Sequence, residues 1–163
     1  ETEVPRGERG ELCIKGPHMM NGYWKRDDAT EESTTAEGYY RTGDVAYMDD
    51  AGFIYIVDRT KDMIICSGYN VYPRNIEEAI YEHPAVSEVS VIGVPDSYRG
   101  QSPRAYITLT GNAPEPTLEE LQAFLRSRLG KHEMIQSMEI RDELPKTPVG
   151  KLSKKELYAE VSS

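Results

Sequence analysis

The sequence predicts an α+β domain, a short β-sheet with a β-hairpin and flanking helices, which follows a β-rich segment. Helices are indicated by Pro73, which suits the first turn of a helix, and by Thr117 and Glu120, which have capping-box spacing. Strands are indicated by residues 11–15, where apolar and polar residues alternate, and by residues 86–94, which are rich in β-branched residues. A small sheet covered by helices is a stable way to bury both kinds of element.

The first part of the chain is predicted to be mostly β. A strand at residues 11–15 precedes a polar and aromatic loop at residues 22–38 that contains one helical turn. Two apolar segments, at residues 45–48 and 53–57, flank a four-residue turn that ends in glycine. This arrangement is typical of a β-hairpin.

Residues 58–62 (DRTKD) mark a change in character, because four of the five are charged, as in an exposed connector between domains. Beyond it, strands and helices alternate. The predicted elements are a hairpin of strands at 63–66 and 70–72, a helix that begins at Pro73 and is stopped by Pro84, strands at 86–94 and 104–110, a helix from Leu118 to Leu129, a strand at 136–141 and a helix at 154–161. The last helix has a second capping-box pattern at Ser153 and Glu156, with Leu152 and Leu157 at the staple positions.

Composition excludes several classes of function. The 163 residues are 38% hydrophobic and 29% charged, which suits a globular core, and the net charge of −9 disfavours a nucleic-acid partner. Cys13 and Cys66 are far apart in sequence and are expected to be free thiols in a reducing compartment. The three histidines have no metal-ligand spacing, so no metal site is expected in this chain.

The cellular location of the protein is predicted from the composition of its N-terminus and from the length of its apolar runs. The N-terminus is charged and has no signal-peptide pattern, and the apolar runs are too short for a membrane span. We therefore expect a soluble, cytoplasmic protein, and attachment to a membrane surface is left open. The charged start without a methionine is typical of a fragment of a longer protein.

Three polar clusters lie outside the apolar pattern that builds a core. They are YRTGD at residues 40–44, DRTKD at 58–62 followed by SGYN at 67–70, and PKTPVGK at 145–151. Taken singly, each has an ordinary explanation as a turn, a solvated linker or a loop before a helix. Their combination and order along one chain are far more specific.

Together these stretches resemble the adenylate-forming (AMP-binding) superfamily, which includes acyl-CoA synthetases, luciferase-like enzymes and the adenylation domains of peptide synthetases. The resemblance covers essentially the whole chain, through GELCIKGPHMMNGYW, YYRTGD, DRTKDMIICSGYNVYPRNIEE, VIGVPDSYRGQSPRAYITL and LPKTPVGKLSKKEL. The phrases SGYNVYPRNIEE and VPDSYRGQ are most similar to the long-chain fatty acid–CoA ligase branch.

The resemblance implies a domain plan and a reaction. Residues 1–59 would be the β-rich C-terminal end of a large N-terminal domain, residues 60–62 a hinge, and residues 63–163 a small C-terminal lid domain. In the family, a carboxylic acid and ATP first give an acyl-adenylate and pyrophosphate, and the thiol of CoA then displaces AMP. The lid rotates between these half-reactions.

Five residues receive roles from the resemblance. Asp44 and Arg59 match the positions that contact the ribose of ATP or AMP, where an acceptor-only carboxylate and a planar guanidinium suit hydroxyl groups. Gly68 matches a glycine that lines the pantetheine channel of CoA, since a missing Cβ allows close approach. Lys61 matches the hinge. Lys151 matches the catalytic lysine that bridges the substrate carboxylate and the α-phosphate, two anions that a cation can stabilise.

Parts of the family's active site are not in this sequence. The phosphate-binding loop, most of the acyl pocket and the Mg²⁺ ligands are expected in a missing N-terminal domain, so this chain alone is expected to be inactive. An aryl-CoA ligase and a peptide-synthetase adenylation domain are alternatives within the superfamily. A stand-alone, non-catalytic module that binds a nucleotide or CoA is an alternative of another class, favoured by a reading frame that starts near Glu1.

Overall fold

The protein is described by a computed structural model that covers residues 2–161. These residues form two compact units, which divide between Lys61 and Asp62. The division falls inside the charged run at residues 58–62. None of the helices within residues 2–161 has both the length and the apolar character that a bilayer crossing demands.

The first unit is a three-stranded antiparallel sheet with one short helix. Strand β1 (Gly10–Ile14) pairs with β2 (Tyr40–Met48), and β2 pairs with β3 (Ile54–Arg59), so the order is β1-β2-β3. Helix α1 (Asp27–Glu32) lies in the long connection between β1 and β2. The hairpin predicted around the glycine-ended turn is therefore confirmed.

Two boundaries predicted for this unit are wrong. Strand β2 begins at Tyr40, so the YRTGD cluster is strand rather than turn, because β1 lies alongside and pairs with it. The local periodicity of apolar residues in the sequence does not predict pairing with a distant strand. Asp58 and Arg59 continue β3, and Asp58 is buried, so the exposed connector shrinks to the 3-10 turn Thr60–Asp62.

The second unit is a five-stranded sheet with helices on both faces. Its elements are β4 (Ile64–Cys66), β5 (Tyr69–Val71), α2 (Pro73–Tyr81), β6 (Val86–Asp96), β7 (Gly100–Leu109), α3 (Leu118–Leu125), β8 (Ser137–Ile140) and α4 (Lys154–Val161). The strand order is β5-β4-β7-β6, and β8 pairs with β7 in parallel. This confirms the predicted α+β class and the predicted order of elements.

Apolar side chains on the two faces of this sheet build two clusters. On one face, alternate residues of β6 and β7, such as Val91 and Ile107, pack with α2 and α3. On the other face, Ile92 and Tyr106 pack with Leu157 of α4. Because β6 and β7 are covered on both faces, the middle of β6 is a nearly continuous apolar run instead of an alternating one.

Local sequence signals set where the helices begin. Pro73 occupies the first turn of α2. Thr117 and Glu120 form the predicted capping box of α3, in which Thr117 N–H donates to Glu120 Oε2 over 2.8 Å and Glu120 N–H donates to Thr117 Oγ1 over 3.2 Å. Near α4, Leu152 and Leu157 belong to one apolar cluster, as the staple pattern predicts.

Helix α3 ends at Leu125, four residues before the apolar stripe predicts. The chain then forms a turn in which Arg128 N–H donates to Leu125 O over 2.9 Å, and the Arg128 guanidinium donates to Phe124 O over 2.9 Å. Leu129 still packs against the core. Its apolar character therefore reflects the packing of this turn and not a longer helix.

Candidate functional site

Asp44 and Arg59 form an ion pair in the β2–β3 hairpin. They are directly opposite each other in the antiparallel register, and Arg59 Nε donates to Asp44 Oδ1 over 2.7 Å. The Asp44 side chain is 22% exposed and that of Arg59 is 53% exposed, so solvent reaches both. The strand register thus brings together two residues that were assigned to the same ligand group from sequence.

The position of Asp44 is set by its neighbours on β2. Gly43 has φ +71°, a left-handed conformation that favours glycine. The Thr42 hydroxyl donates to Leu12 O of β1 over 2.8 Å and accepts the N–H of Asp44 over 3.1 Å. The register of β2 against β3 shifts between Val45 and Ala46, and such irregularities change the direction of nearby side chains.

Two further polar groups lie in the same hairpin region and were not singled out from sequence. Asp58 Oδ1 accepts the backbone N–H of Arg59 over 2.7 Å. The hydroxyl oxygens of Tyr23 and Tyr40 are 3.2 Å apart, and this hydrogen bond raises the pKa of Tyr40. Asp58 and Tyr40 belong to the DRTKD and YYRTGD motifs, but no local pattern distinguishes a buried motif aspartate from an exposed one.

Gly68 is the second residue of the two-residue turn between β4 and β5. Ser67 and Gly68 have φ values of +52° and +81°, the pattern of a type I′ turn. A Cβ at Gly68 would meet nothing within 4 Å, so the turn opens onto free space. Contacts with other segments hold the turn in place. Ser67 N–H donates to Arg99 O over 2.8 Å, and the ring of Tyr69 stacks on the ring of His132.

Lys151 lies in a tight loop between β8 and α4. Thr147 N–H donates to Lys151 O over 2.7 Å, and Lys151 N–H donates to Thr147 Oγ1 over 3.2 Å. Gly150, which has φ +79°, closes the turn by donating its N–H to Thr147 O over 2.8 Å. The Lys151 side chain is exposed, and within residues 2–161 no ion pair holds its ammonium group.

Lys61 lies at the centre of the 3-10 turn Thr60–Asp62 and is exposed. The division between the two units falls immediately after it. The five predicted residues are thus placed as follows: Asp44 and Arg59 in the first unit, Lys61 at its end, and Gly68 and Lys151 on separate loops of the second unit.

The cysteines and the side chains that could bind a metal ion do not add a further candidate site within residues 2–161. Cys13 and Cys66 are both free, and burial raises the pKa of the Cys13 thiol, with the charge of Glu11 adding to the effect. Across residues 2–161, no group of three or more His, Cys, Asp or Glu side chains is placed to hold a metal ion. The chemically distinctive groups are therefore the Asp–Arg pair and the exposed lysine.

Residues 75–151 match the family described as the AMP-binding enzyme C-terminal domain, a span that runs from the start of α2 to Lys151 itself. In this span the chain has the C-terminal domain of the AMP-binding (adenylate-forming) enzymes. Its mixed sheet-and-helix architecture agrees with that domain.

Known relatives refine this assignment. A long-chain-fatty-acid–CoA ligase of Bacillus subtilis is 50% identical over 153 residues, which are 94% of this chain and 27% of the relative. One of Escherichia coli O6:H1 is 46% identical over 98% of this chain and 28% of its own length. This chain therefore spans little more than a quarter of these relatives.

Solved structures of longer proteins are similar to this chain over most of its length. ATP-bound MatB from Rhodopseudomonas palustris has a TM-score of 0.89 at 32% identity, over 96% of this chain and 31% of that protein. The o-succinylbenzoate CoA synthetase of Bacillus subtilis in complex with its acyl-adenylate intermediate has a TM-score of 0.86 at 36% identity, over 94% and 31%.

Proposed function

We propose that this chain is the C-terminal part of an ATP-dependent, AMP-forming acyl-CoA ligase that activates a fatty acid. The observation that carries the proposal is the 50% identity, over 94% of the chain, to a relative named as a long-chain-fatty-acid–CoA ligase. The lower identity, 36%, to a synthetase of an aromatic acid favours a fatty acid over an aryl substrate. Because these relatives are far longer than this chain, a stand-alone binding module is disfavoured.

In the proposed first half-reaction, the carboxylate oxygen of the acid attacks the α-phosphorus of ATP and pyrophosphate leaves. Lys151 would lie between the two anions and stabilise the negative charge that develops as they meet. Its exposed side chain, on a loop closed by Gly150, supports this role. A preorganised cation of this kind is effective because it needs no rearrangement as the charge develops.

Asp44 and Arg59 would hold the ribose of ATP and then of AMP. A carboxylate offers about four acceptor positions, so Asp44 has capacity for ribose hydroxyls as well as for the 2.7 Å bond from Arg59. Because solvent reaches both side chains, a ligand can reach them as well.

In the proposed second half-reaction, the thiol of CoA attacks the acyl carbon and AMP leaves. Gly68 would border the path of the pantetheine arm, and the open space beside it supports this role. Lys61 would be the hinge between residues 1–59, the end of a large N-terminal domain, and residues 63–163, the lid. The boundary of the two compact units beside Lys61 supports that plan.

Several partners would lie outside this chain. The N-terminal domain would supply the phosphate-binding loop, the acyl pocket and the ligands of the Mg²⁺ that accompanies ATP, for which residues 2–161 offer no cluster of ligands. We place the enzyme in the cytoplasm, which suits the two free thiols.

The test is the Lys151→Ala substitution in the full-length protein that contains this chain. We expect ATP–pyrophosphate exchange with a fatty acid to fall by about 10²–10³, because one preorganised charge is lost. Thioester formation from a supplied acyl-adenylate and CoA should change little. Lys155→Ala, a nearby exposed lysine, is the control. Equal losses in both half-reactions would contradict the role of Lys151.

A further inference from the structure

The loop that carries Lys151 is closed at both of its ends. Residues 146 and 152 form an antiparallel bridge, and Ser153 N–H donates to Pro145 O over 2.8 Å. Helix α4 begins at the next residue, Lys154, and Leu157, one turn further, is fully buried. The position of Lys151 therefore depends on how this loop and the start of α4 are fixed to the sheet.

Lys154 makes a largely covered ion pair with Glu77 of α2. The distance between Lys154 Nζ and Glu77 Oε1 is 2.9 Å, and the two side chains are only 18% and 17% exposed. The Arg74–Glu78 pair on the same helix is 54% and 65% exposed. An exposed pair contributes little, whereas removing one partner of a covered pair leaves an uncompensated charge.

Glu77 is itself fixed by a second bond. Its Oε1 also accepts the backbone N–H of Val91 in β6 over 2.8 Å. One carboxylate oxygen thus joins α2, the edge strand β6 and the first residue of α4. A group held by a helix and a strand is a rigid anchor, which a solvated surface carboxylate is not.

A second ion pair holds the other end of the loop. Lys146 Nζ lies 2.7 Å from Glu88 Oε1 on β6. These side chains are 44% and 30% exposed, so this attachment is weaker than that of Lys154. Both ends of the loop are therefore tied to β6, and Lys151 lies three residues from the stronger anchor.

We propose that Glu77 and Lys154 are positioning residues for Lys151 in adenylate formation. This inference rests on the proposed function of Lys151 and adds the contact that places it. The pair does not touch the reactants in this assignment; it acts by holding the start of α4, and with it the loop, at a fixed place on the sheet. A misplacement of about 1 Å in a catalytic group costs as much as ~10²-fold in rate.

The experiment uses the full-length protein with Lys154→Met, which keeps the length of the side chain, and Glu77→Gln, which keeps an acceptor for Val91 N–H. We expect each variant to lower ATP–pyrophosphate exchange by about 10- to 100-fold. Thioester formation from a supplied acyl-adenylate should stay within about twofold, and Lys154→Arg should recover most of the exchange. Lys155→Ala is the control of unchanged activity.

The outcomes separate positioning from fold stability. Selective loss of exchange in both variants, with recovery in Lys154→Arg, supports the proposal. Equal loss in both half-reactions, no loss, or selective loss in only one of the two variants overturns it. Lys151→Ala is measured alongside: if it alone impairs exchange, the positioning role fails and the proposed function stands, whereas normal exchange in Lys151→Ala removes the proposed function itself.

Discussion

Gly68 shows how a backbone requirement and a proposed binding role can be separated at a single residue. Its φ of +81° disfavours any residue with a Cβ, although nothing lies within 4 Å of the position that a Cβ would take. Gly111 has the same two properties, a φ of +54° and open space, but no proposed site role. The two glycines therefore carry a similar conformational cost, roughly 1–2 kcal/mol on substitution.

We predict that Gly68→Leu in the full-length protein impairs thioester formation while ATP–pyrophosphate exchange persists. The leucine side chain would occupy the open space that we assign to the pantetheine arm. Gly111→Leu should bring the same backbone strain and leave both half-reactions intact. Normal CoA kinetics in Gly68→Leu, or the same defect in Gly111→Leu, would remove Gly68 from the site.

Site residues were predictable from sequence where motifs contain them and not where contacts join distant segments. Asp44 and Arg59 were assigned from motifs, but their ion pair depends on the register of β2 against β3, which no motif states. Lys154 and Glu77 were not identified, because 77 positions separate them and each belongs to an ordinary helical pattern. Tertiary contacts of this kind require the fold.

At the scale of elements, local signals predicted most of the second unit. The capping box of α3 and the first-turn proline of α2 lie where sequence rules place them. One error arises where a distant segment decides the boundary: strand β2 extends to Tyr40 because β1 pairs with it. The other is local: α3 ends early in a turn where the Arg128 guanidinium donates to Phe124 O.

The capping box of α3 makes its stability depend on pH. The backbone N–H and the hydroxyl of Thr117 both donate to Glu120, and these bonds lower the pKa of Glu120 below its ordinary value of about 4.5. A carboxylate with a lowered pKa stabilises the folded state at pH values above its unfolded pKa. That contribution is lost as the pH falls through the folded pKa.

We predict that Glu120→Gln lowers the free energy of unfolding at pH 6, and that its difference from the unchanged chain narrows as the pH falls below 4.5. Glutamine keeps the geometry of the box without the titrating charge. Glu119→Gln, which removes the same charge from the same turn outside the box, should show a smaller difference. The measurement is urea unfolding between pH 6 and pH 3, and a difference that does not change across this range would contradict the prediction.

The 3-10 turn Thr60–Asp62 is the element that we assign as the hinge. A hinge changes φ and ψ between two states, and proline fixes its own φ near −65° and restricts the preceding residue. We predict that Lys61→Pro in the full-length protein preserves one half-reaction and lowers overall turnover. Lys61→Ala, which leaves the backbone free, is the control. Unchanged turnover in Lys61→Pro would show that Lys61 is not the pivot.

At the scale of the whole chain, the two units differ in how well they bury apolar surface. The second unit has two apolar clusters and helices on both faces of its sheet. The first unit leaves large apolar side chains exposed on β3 and the turn before it, including Phe53 at 67% and Ile56 at 52%. Exposed apolar surface of this kind commonly marks an interface. We propose that this apolar surface contacts the rest of the N-terminal domain in a longer protein.

We therefore predict that residues 62–163 fold without the rest of the chain. The capping box of α3, the paired strands and the buried clusters agree with one another, as in an independent domain. A single cooperative urea transition by circular dichroism is the expected result. A broad, non-cooperative transition would show that this unit depends on residues outside it.

We propose that this chain holds only part of an acyl-CoA ligase active site, and ATP–pyrophosphate exchange tests this proposal most directly. The chain and the full-length protein are assayed side by side with a fatty acid and Mg²⁺–ATP. Both reactants must be held together for catalysis, so we predict exchange by the full-length protein and none by the 163-residue chain. Exchange that co-purifies with the chain, and that disappears in its Lys151→Ala variant, would show that the chain holds the whole active site and would contradict the proposal.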